Sequence, residues 1–427
     1  MAKYTKKEKS WMMYDWATSA YSLIITTAIF PIYFKSVAEN AGASSAESTA
    51  LLGYTISIST FLLAMLSPIL GTIADYKGFK KKFFFFFFLI GTVSTLGLAF
   101  VPSDNWVLLM ILNIVTALGA RGANIFYDAF LVDVTTEDRY DLVSSRGFAI
   151  GYIGSTIPFI ISIAIVTLSS QGIIPIDEFF ASKISFAITA IWWFVFTIPM
   201  LKDVTQIHYV EREPKVIINS FKRLGKTFKD IRKYRGVFLF LIAYFFYIDG
   251  VDTIIGMSTA YGADVGLKTT DLIIALLAVQ IVAAPFAILF GHLAKRFGPK
   301  IMLFVGIGVY TFICIYATVL DTILEFWILA MLVATSQGGI QALSRSYFAQ
   351  LVPKEKSNEF FGFYNIFGRF AAVTGPFLMG ITTQITGSST IGILSLVVLF
   401  IAGFVVLIFV PKPEKETEVP TGTNVSI

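Results

Sequence analysis

The chain has 427 residues, 56% of them hydrophobic and only 14% charged, a composition that excludes a disordered chain or an ordinary water-soluble enzyme. One cysteine and two histidines leave no disulfide framework and no cluster dense enough for zinc or iron, so no metal or other cofactor is expected. The net charge of +5 does not point to nucleic acid, because the basic residues sit in short blocks between long apolar runs, the pattern that orients a membrane protein.

A membrane-crossing helix needs about 20 mostly apolar residues to cover roughly 30 Å of hydrocarbon. In chain order the sequence predicts twelve, at 11–37, 50–74, 82–101, 106–134, 143–169, 183–201, 236–261, 270–294, 300–320, 325–351, 359–386 and 389–410. Lys35, Lys183 and Lys268 fall in loops on one side, Arg121, Arg146, Arg345 and Arg369 fall within helices, and the other Lys and Arg residues gather on the opposite side. That bias places both termini in the cytoplasm of a multi-pass plasma-membrane protein. The lysine-rich start runs directly into a long span without a small-residue cleavage site, so no removed leader is expected.

The polar stretch 202–234 divides the chain into an N-terminal six-helix bundle (1–201) and a C-terminal one (235–410). Within it Ile217, Phe221, Leu224, Phe228 and Ile231 recur at helical spacing among lysines and arginines, which predicts an amphipathic helix suited to an anionic inner leaflet; a solvated tether is the alternative. The tail 411–427 reads as disordered.

The second span ends Gly71-Thr-Ile-Ala74-Asp75-Tyr-Lys-Gly78-Phe-Lys80, and 220 residues later the eighth ends Gly291-His-Leu-Ala294-Lys-Arg-Phe-Gly298-Pro-Lys300. Small residues allow close helix approach, Gly78 and Gly298 a tight turn, and the basic cluster an anchor at the inner face. This repeat resembles the loop signature of the major facilitator superfamily, whose halves are parallel repeats. Longer strings, including Tyr14-Asp15-Trp16, Phe126-Tyr127-Asp128-Ala129, Ser145-Arg146-Gly147-Phe148, Ile248-Asp249-Gly250 and Gln337-Gly338-Gly339-Ile340-Gln341, are similar to the autophagy-related vacuolar effluxer family and its bacterial relatives. The resemblance implies an all-α carrier of two six-helix bundles in which spans one, four, seven and ten line the pathway. In fungi it is associated with release of amino acids from the vacuole.

An ionisable side chain kept in a transmembrane helix normally faces a partner, a cavity or an ion route. Helix rise places Arg121, Asp249, Asp252 and Arg369 on the order of 15–22 Å deep, near the midplane. Arg121 or Arg369 is expected to hold a substrate carboxylate or phosphate, and Asp249 and Asp252, three apart on one helix face, to hold an amine or take up a coupling proton. Mutual pairing that locks the halves is the competing reading. Gln341 and Asn124 are candidates to complete the binding site, against the commoner fate of an interhelical hydrogen bond. Asp15, Asp75, Asp128, Asp133, Arg146 and Arg345 are expected to form a ring of opposite charges that gates the inner mouth, with static bracing as the alternative, above all for Asp75.

Gly147, Gly151, Gly154 and Pro158 in span five offer close packing and a bend. The run Phe83–Phe88 is expected to be lipid-facing filler, and the six tryptophans to lie mostly at the interfaces, with Trp16 and Tyr21 as possible entrants to the cavity. The absence of a phosphate-binding loop argues against ATP hydrolysis. These readings predict a monomeric secondary carrier, not an enzyme, that exports a small polar or zwitterionic, amino-acid-like solute by alternating access with coupling to protons. A lipid or lysolipid flippase is the runner-up, favoured by the high Phe and Ile content and a cavity that could open sideways between spans five and eight, and a non-transporting receptor or scaffold is the third class.

Overall fold

The computed structural model describes residues 4–212, 214, 216–229, 231–264, 269–319 and 322–413. Lys268 and residues 414–427 of the expected tail lie outside the described residues, as does the side chain of Arg369.

Among the described residues, eleven helices are long and apolar enough to cross a membrane. Span one is Lys6–Asn40; spans two to six are Ser45–Ala74, Phe79–Leu98, Trp106–Ala129, Tyr140–Ser170 and Glu178–Asp203. Spans seven to ten are Arg235–Asp264, Thr269–Phe297, Pro299–Tyr316 and Ile323–Leu351, and span twelve is Thr390–Ile408. The predicted span at 359–386 is the 30-residue helix Ser357–Thr386, here span eleven.

Local sequence explains the ends and the breaks. Thr5 opens span one with a capping box, taking the Glu8 N–H on its hydroxyl at 3.1 Å while the Glu8 carboxylate accepts the Thr5 N–H at 2.7 Å. Pro31 lacks an N–H, and the preceding turns widen into a π-helix over Ser22–Ala28, with the Ile29 N–H bonded to Ile24 O. Gly78 and Gly298 both adopt positive φ (77° and 91°) at the equivalent turns of the two halves, a backbone state that glycine enters without strain.

Spans one to six and seven to twelve form two bundles. They meet along span two with span eleven and along span five with spans eight and ten. The 220-residue repeat recurs at both seams. A Cβ on Gly71 would strike the backbone of Asn358, and one on Gly291 would lie 2.6 Å from the Cβ of Ser145. Both glycines therefore set the approach of one bundle to the other. Large apolar side chains such as Phe86, Phe377 and Val398 are exposed outward, as lipid-facing residues are.

Two expectations change. Trp11 and Trp193 are fully buried inside the bundle rather than part of an outward-facing belt, and Trp16, which is not among the cavity-lining residues, stacks on Trp192 at 5.9 Å. Of the phenylalanine run, Phe85 and Phe86 face outward, but Phe84 and Phe88, one turn apart, are core residues. A six-residue run must present some members to each side of its helix.

Candidate functional site

A cavity of about 300 Å³ lies between the bundles. Its walls follow the one-turn helical step: Asn124 and Asp128 from span four, Tyr244, Ile248 and Asp252 from span seven, Gln341 and Arg345 from span ten, and Tyr364 and Gly368 from span eleven. Ser22, at the start of the π turn, joins them with Phe148 and Asn365. Asn124 Oδ1 is buried with no hydrogen-bond partner, and Tyr152 Oη donates to Gln341 Oε1 at 3.3 Å. The polar lining therefore includes Asp252 and Asn124, whose unbonded Oδ1 is itself buried.

Arg345 forms the floor and is 2% exposed. From span ten it reaches three spans of the other bundle. Nη2 lies 3.2 Å from Asp15 Oδ2, Nη1 3.2 Å from Asp128 Oδ1, and Nε donates to Ser144 Oγ at 2.9 Å. Its guanidinium plane rests against Trp11 at 4.7 Å and Phe148 at 4.5 Å. A planar fork with several fixed partners suits arginine and no other cation. Nearby, Ser144 Oγ donates to Ala342 O at 2.8 Å and Ser346 Oγ to Asp141 Oδ1 at 2.5 Å. These contacts lie at the start of span five and the end of span ten, so they join the two bundles at the end where span one begins and span twelve finishes.

The expected ring of charges is divided. Asp75 ends span two and caps span eleven across the seam, accepting Asn358 N and Nδ2 at 2.9 Å each. Burial pushes its carboxyl up to about 7, with the Glu359 carboxylate adding to the rise and Arg223 opposing it. Arg223 comes from the linker helix Val216–Lys229 and lies 3.4 Å from Asp75 Oδ2 and 3.6 Å from Glu359 Oε2. The amphipathic linker is thus a helix, and one of its basic residues faces protein; the side chains of Ile217, Phe228 and Ile231 lie outside the described residues.

Asp133 belongs to a separate cluster. Fully buried Lys80 donates to Asp133 Oδ2 at 2.6 Å and to Ser357 Oγ at 3.0 Å, while the Ile207 and His208 N–H groups donate to Asp133 Oδ1 at 2.8 and 2.7 Å. Burial opposes ionisation of this carboxyl, but Lys80 and the His208 bonds hold it below its ordinary range. Arg146 makes no ion pair among the described residues.

Two midplane assignments also change. Arg121 lines a separate pocket of about 30 Å³ and donates to Thr60 Oγ1 at 2.8 Å, so it faces span two rather than the central cavity. Asp249 is completely buried, and its Oδ1 accepts the Gly375 N–H of span eleven at 2.8 Å. One residue turns a helix by 100°, which separates Asp249 from the cavity row of Tyr244, Ile248 and Asp252. The i, i+3 spacing brings the two aspartates near one another without giving them the same neighbours. Lys80, Glu359, Asp141, Ser22 and Tyr364 were missed. The one-turn steps 244/248/252, 341/345 and 364/368 were available in the sequence as a signal for the cavity residues.

A family model described as "Vacuole effluxer Atg22 like" matches residues 44–419. The chain belongs to the Atg22-like family. An "Uncharacterized MFS-type transporter YxiO" of Bacillus subtilis (strain 168) is 61% identical over 424 residues, covering 99% of each chain. Autophagy-related protein 22 of Saccharomyces cerevisiae (strain ATCC 204508 / S288c) is 24% identical over 397 residues, covering 80% of this chain and 74% of the yeast protein. The proton:xylose symporter XylE shares the fold with a TM-score of 0.71 at 11% identity, over 95% of each chain. The human organic anion transporter MFSD10 does so with a TM-score of 0.67 at 12% identity, over 94% of this chain and 99% of that one. This Atg22-like chain is therefore a multi-pass major facilitator transporter, and its relatives are carriers rather than enzymes. Among its described residues no group of three or more His, Cys, Asp or Glu side chains is placed to hold a metal ion.

Proposed function

We propose that the protein is a plasma-membrane carrier that exports a small, amine-bearing polar or zwitterionic solute, of amino-acid type, in exchange for protons. Both termini lie in the cytoplasm in this reading, so the form described here is closed to the cytoplasm by Arg345. The observation that carries the substrate class is the pair of acceptor-bearing residues in the cavity lining, Asp252 and Asn124, the latter with a buried Oδ1 that has no hydrogen-bond partner. Together they match the N–H donors of an ammonium group, while the Arg345 guanidinium at the floor offers a carboxylate its fork when Asp15 or Asp128 lets go.

Asp252 is the residue we assign to proton exchange, because it faces the cavity. Asp249 positions span eleven. Alternating access then requires the Arg345 contacts to break as the seam opens, a rearrangement of discrete contacts between two rigid bundles. The polar walls support a solute carrier over a flippase, whose substrate needs an apolar slot.

Counterflow in proteoliposomes with labelled amino acids, and in parallel with labelled phospholipid, tests this reading at two pH values. Accumulation of an amine-bearing solute that responds to a pH gradient is expected. Scrambling of lipid with no solute counterflow would overturn it.

A further inference from the structure

We propose that the cleft between the start of span three and the end of span six binds the headgroup of an anionic phospholipid from the leaflet at the termini face. The cleft has a volume of about 590 Å³. Lys77, Lys81 and Lys82 line it on the span-three side, and Leu201, Thr205 and Tyr209 on the span-six side.

The charge of this cleft is little compensated. Lys81 and Lys82 make no ion pair among the described residues, and Lys77 reaches Glu211 only at 3.9 Å, with both side chains largely exposed. Asp203, the acid at the end of span six, is engaged elsewhere: Lys6 Nζ donates to it at 2.6 Å and Ser10 Oγ at 2.6 Å. Three cations beside one mouth draw a phosphate, and a membrane surface supplies phosphates at high local concentration.

The apolar part of the lining selects among anions. Phe85 lies one turn below Lys81 and Lys82, is 46% exposed, and continues outward into Phe86, which is 55% exposed. A free phosphate would engage the lysines and leave Phe85 and Leu201 without a role. A phospholipid uses both, with its phosphate at the lysines and its first acyl carbons along Phe85 and Leu201.

The site also adjoins the closed end of the carrier. Gly78 at its rim donates its N–H to Gln206 Oε1 at 2.9 Å, and the Gln206 amide donates to Ala74 O at 3.2 Å. The next two residues, Ile207 and His208, are those whose N–H groups hold Asp133. A bound headgroup therefore rests against the strap that secures the end of span two.

The test is lipid retention by the full-length protein, purified in detergent with equal amounts of phosphatidylglycerol and phosphatidylcholine of identical chains and read by native mass spectrometry. The wild type is expected to retain phosphatidylglycerol at least about tenfold over phosphatidylcholine. K81Q/K82Q is expected to bring the ratio close to one, and K81R/K82R to keep it. No preference in the wild type, or full preference in K81Q/K82Q, would overturn the proposal. Inorganic phosphate displacing the lipid at equal concentration would overturn the lipid assignment in favour of a free-anion site. A photoactivatable phosphatidylglycerol, which needs no variant, is expected to label peptides containing Phe85 or Leu201, and labelling confined to other peptides contradicts the site.

Discussion

Asp249 on span seven takes the backbone N–H of Gly375 on span eleven at 2.8 Å, one residue before Pro376. Proline cannot donate to the helical ladder, so span eleven is weakened at this point and leans on a carboxylate from its neighbour. A Cβ on Gly375 would collide with Thr253 Oγ1 and press on Asp249 Oδ1, so the approach requires glycine.

Asp249→Asn keeps an amide oxygen for Gly375 and is expected to preserve both thermal stability in detergent and transport. Asp249→Ala leaves the Gly375 N–H unsatisfied in the interior and should cost roughly 1–3 kcal/mol, read as a lowered midpoint of thermal unfolding. Equal behaviour of the two variants would remove the positioning role of Asp249 on span eleven.

Removing Arg345 should loosen the closed end. Arg345→Gln leaves Asp15 and Asp128 without their shared cation, and the cost is expected on the order of 3 kcal/mol. A cysteine introduced at Ser145 should react faster with a membrane-impermeant thiol reagent in this background than with Arg345 present. Unchanged reactivity would show that Arg345 does not hold the seam.

Lys80 and Asp133 are both buried and 2.6 Å apart. Lys80→Met leaves an uncompensated carboxylate and should destabilise by about 3–5 kcal/mol, whereas adding Asp133→Asn removes the stranded charge, keeps an acceptor for the Ile207 and His208 N–H groups and should recover much of the loss. Thermal unfolding of these two variants and of Asp133→Asn alone measures this coupling. Simple additivity would contradict it.

The seam also carries a pH signature through Asp75. Its carboxyl is raised to about 7 by burial and by Glu359, so the folded state binds a proton that the unfolded chain has released above about 4. Stability from this group is therefore present at low pH and is lost as pH rises through about 7, with a slope of at most about 1.4 kcal/mol per pH unit. Asp75→Asn should flatten that part of the profile relative to the parent protein while keeping an acceptor for Asn358. Parallel profiles would show that Asp75 stays ionised.

The spans, the two bundles and the repeated turn were legible in the sequence because they depend on hydropathy and on glycine, which act locally. Arg345, Asp15 and Asp128 were also legible, since charges at that depth need partners and opposite signs were available. What one chain could not show was helix rotation. Asp249 and Asp252 differ by a fraction of a turn, and which of them faces the cavity depends on how span seven packs against span eleven. Arg121 shares the helix face of Asp128 but sits two turns away along span four, where Thr60 of span two takes it up outside the cavity lining. Lys80 was read with its neighbours as a surface anchor, yet the turn at Gly78 directs it inward to Asp133 while Lys81 and Lys82 line the outer cleft.

Counterflow of an amine-bearing solute by Asp252→Asn, compared with the parent protein across a pH gradient, tests the central claim most directly. Loss of the response to pH with the protein still folded is the predicted result, because Asp252 is the carboxylate that the cavity presents to both solute and proton. Counterflow with the parent's rate and pH response would contradict the account.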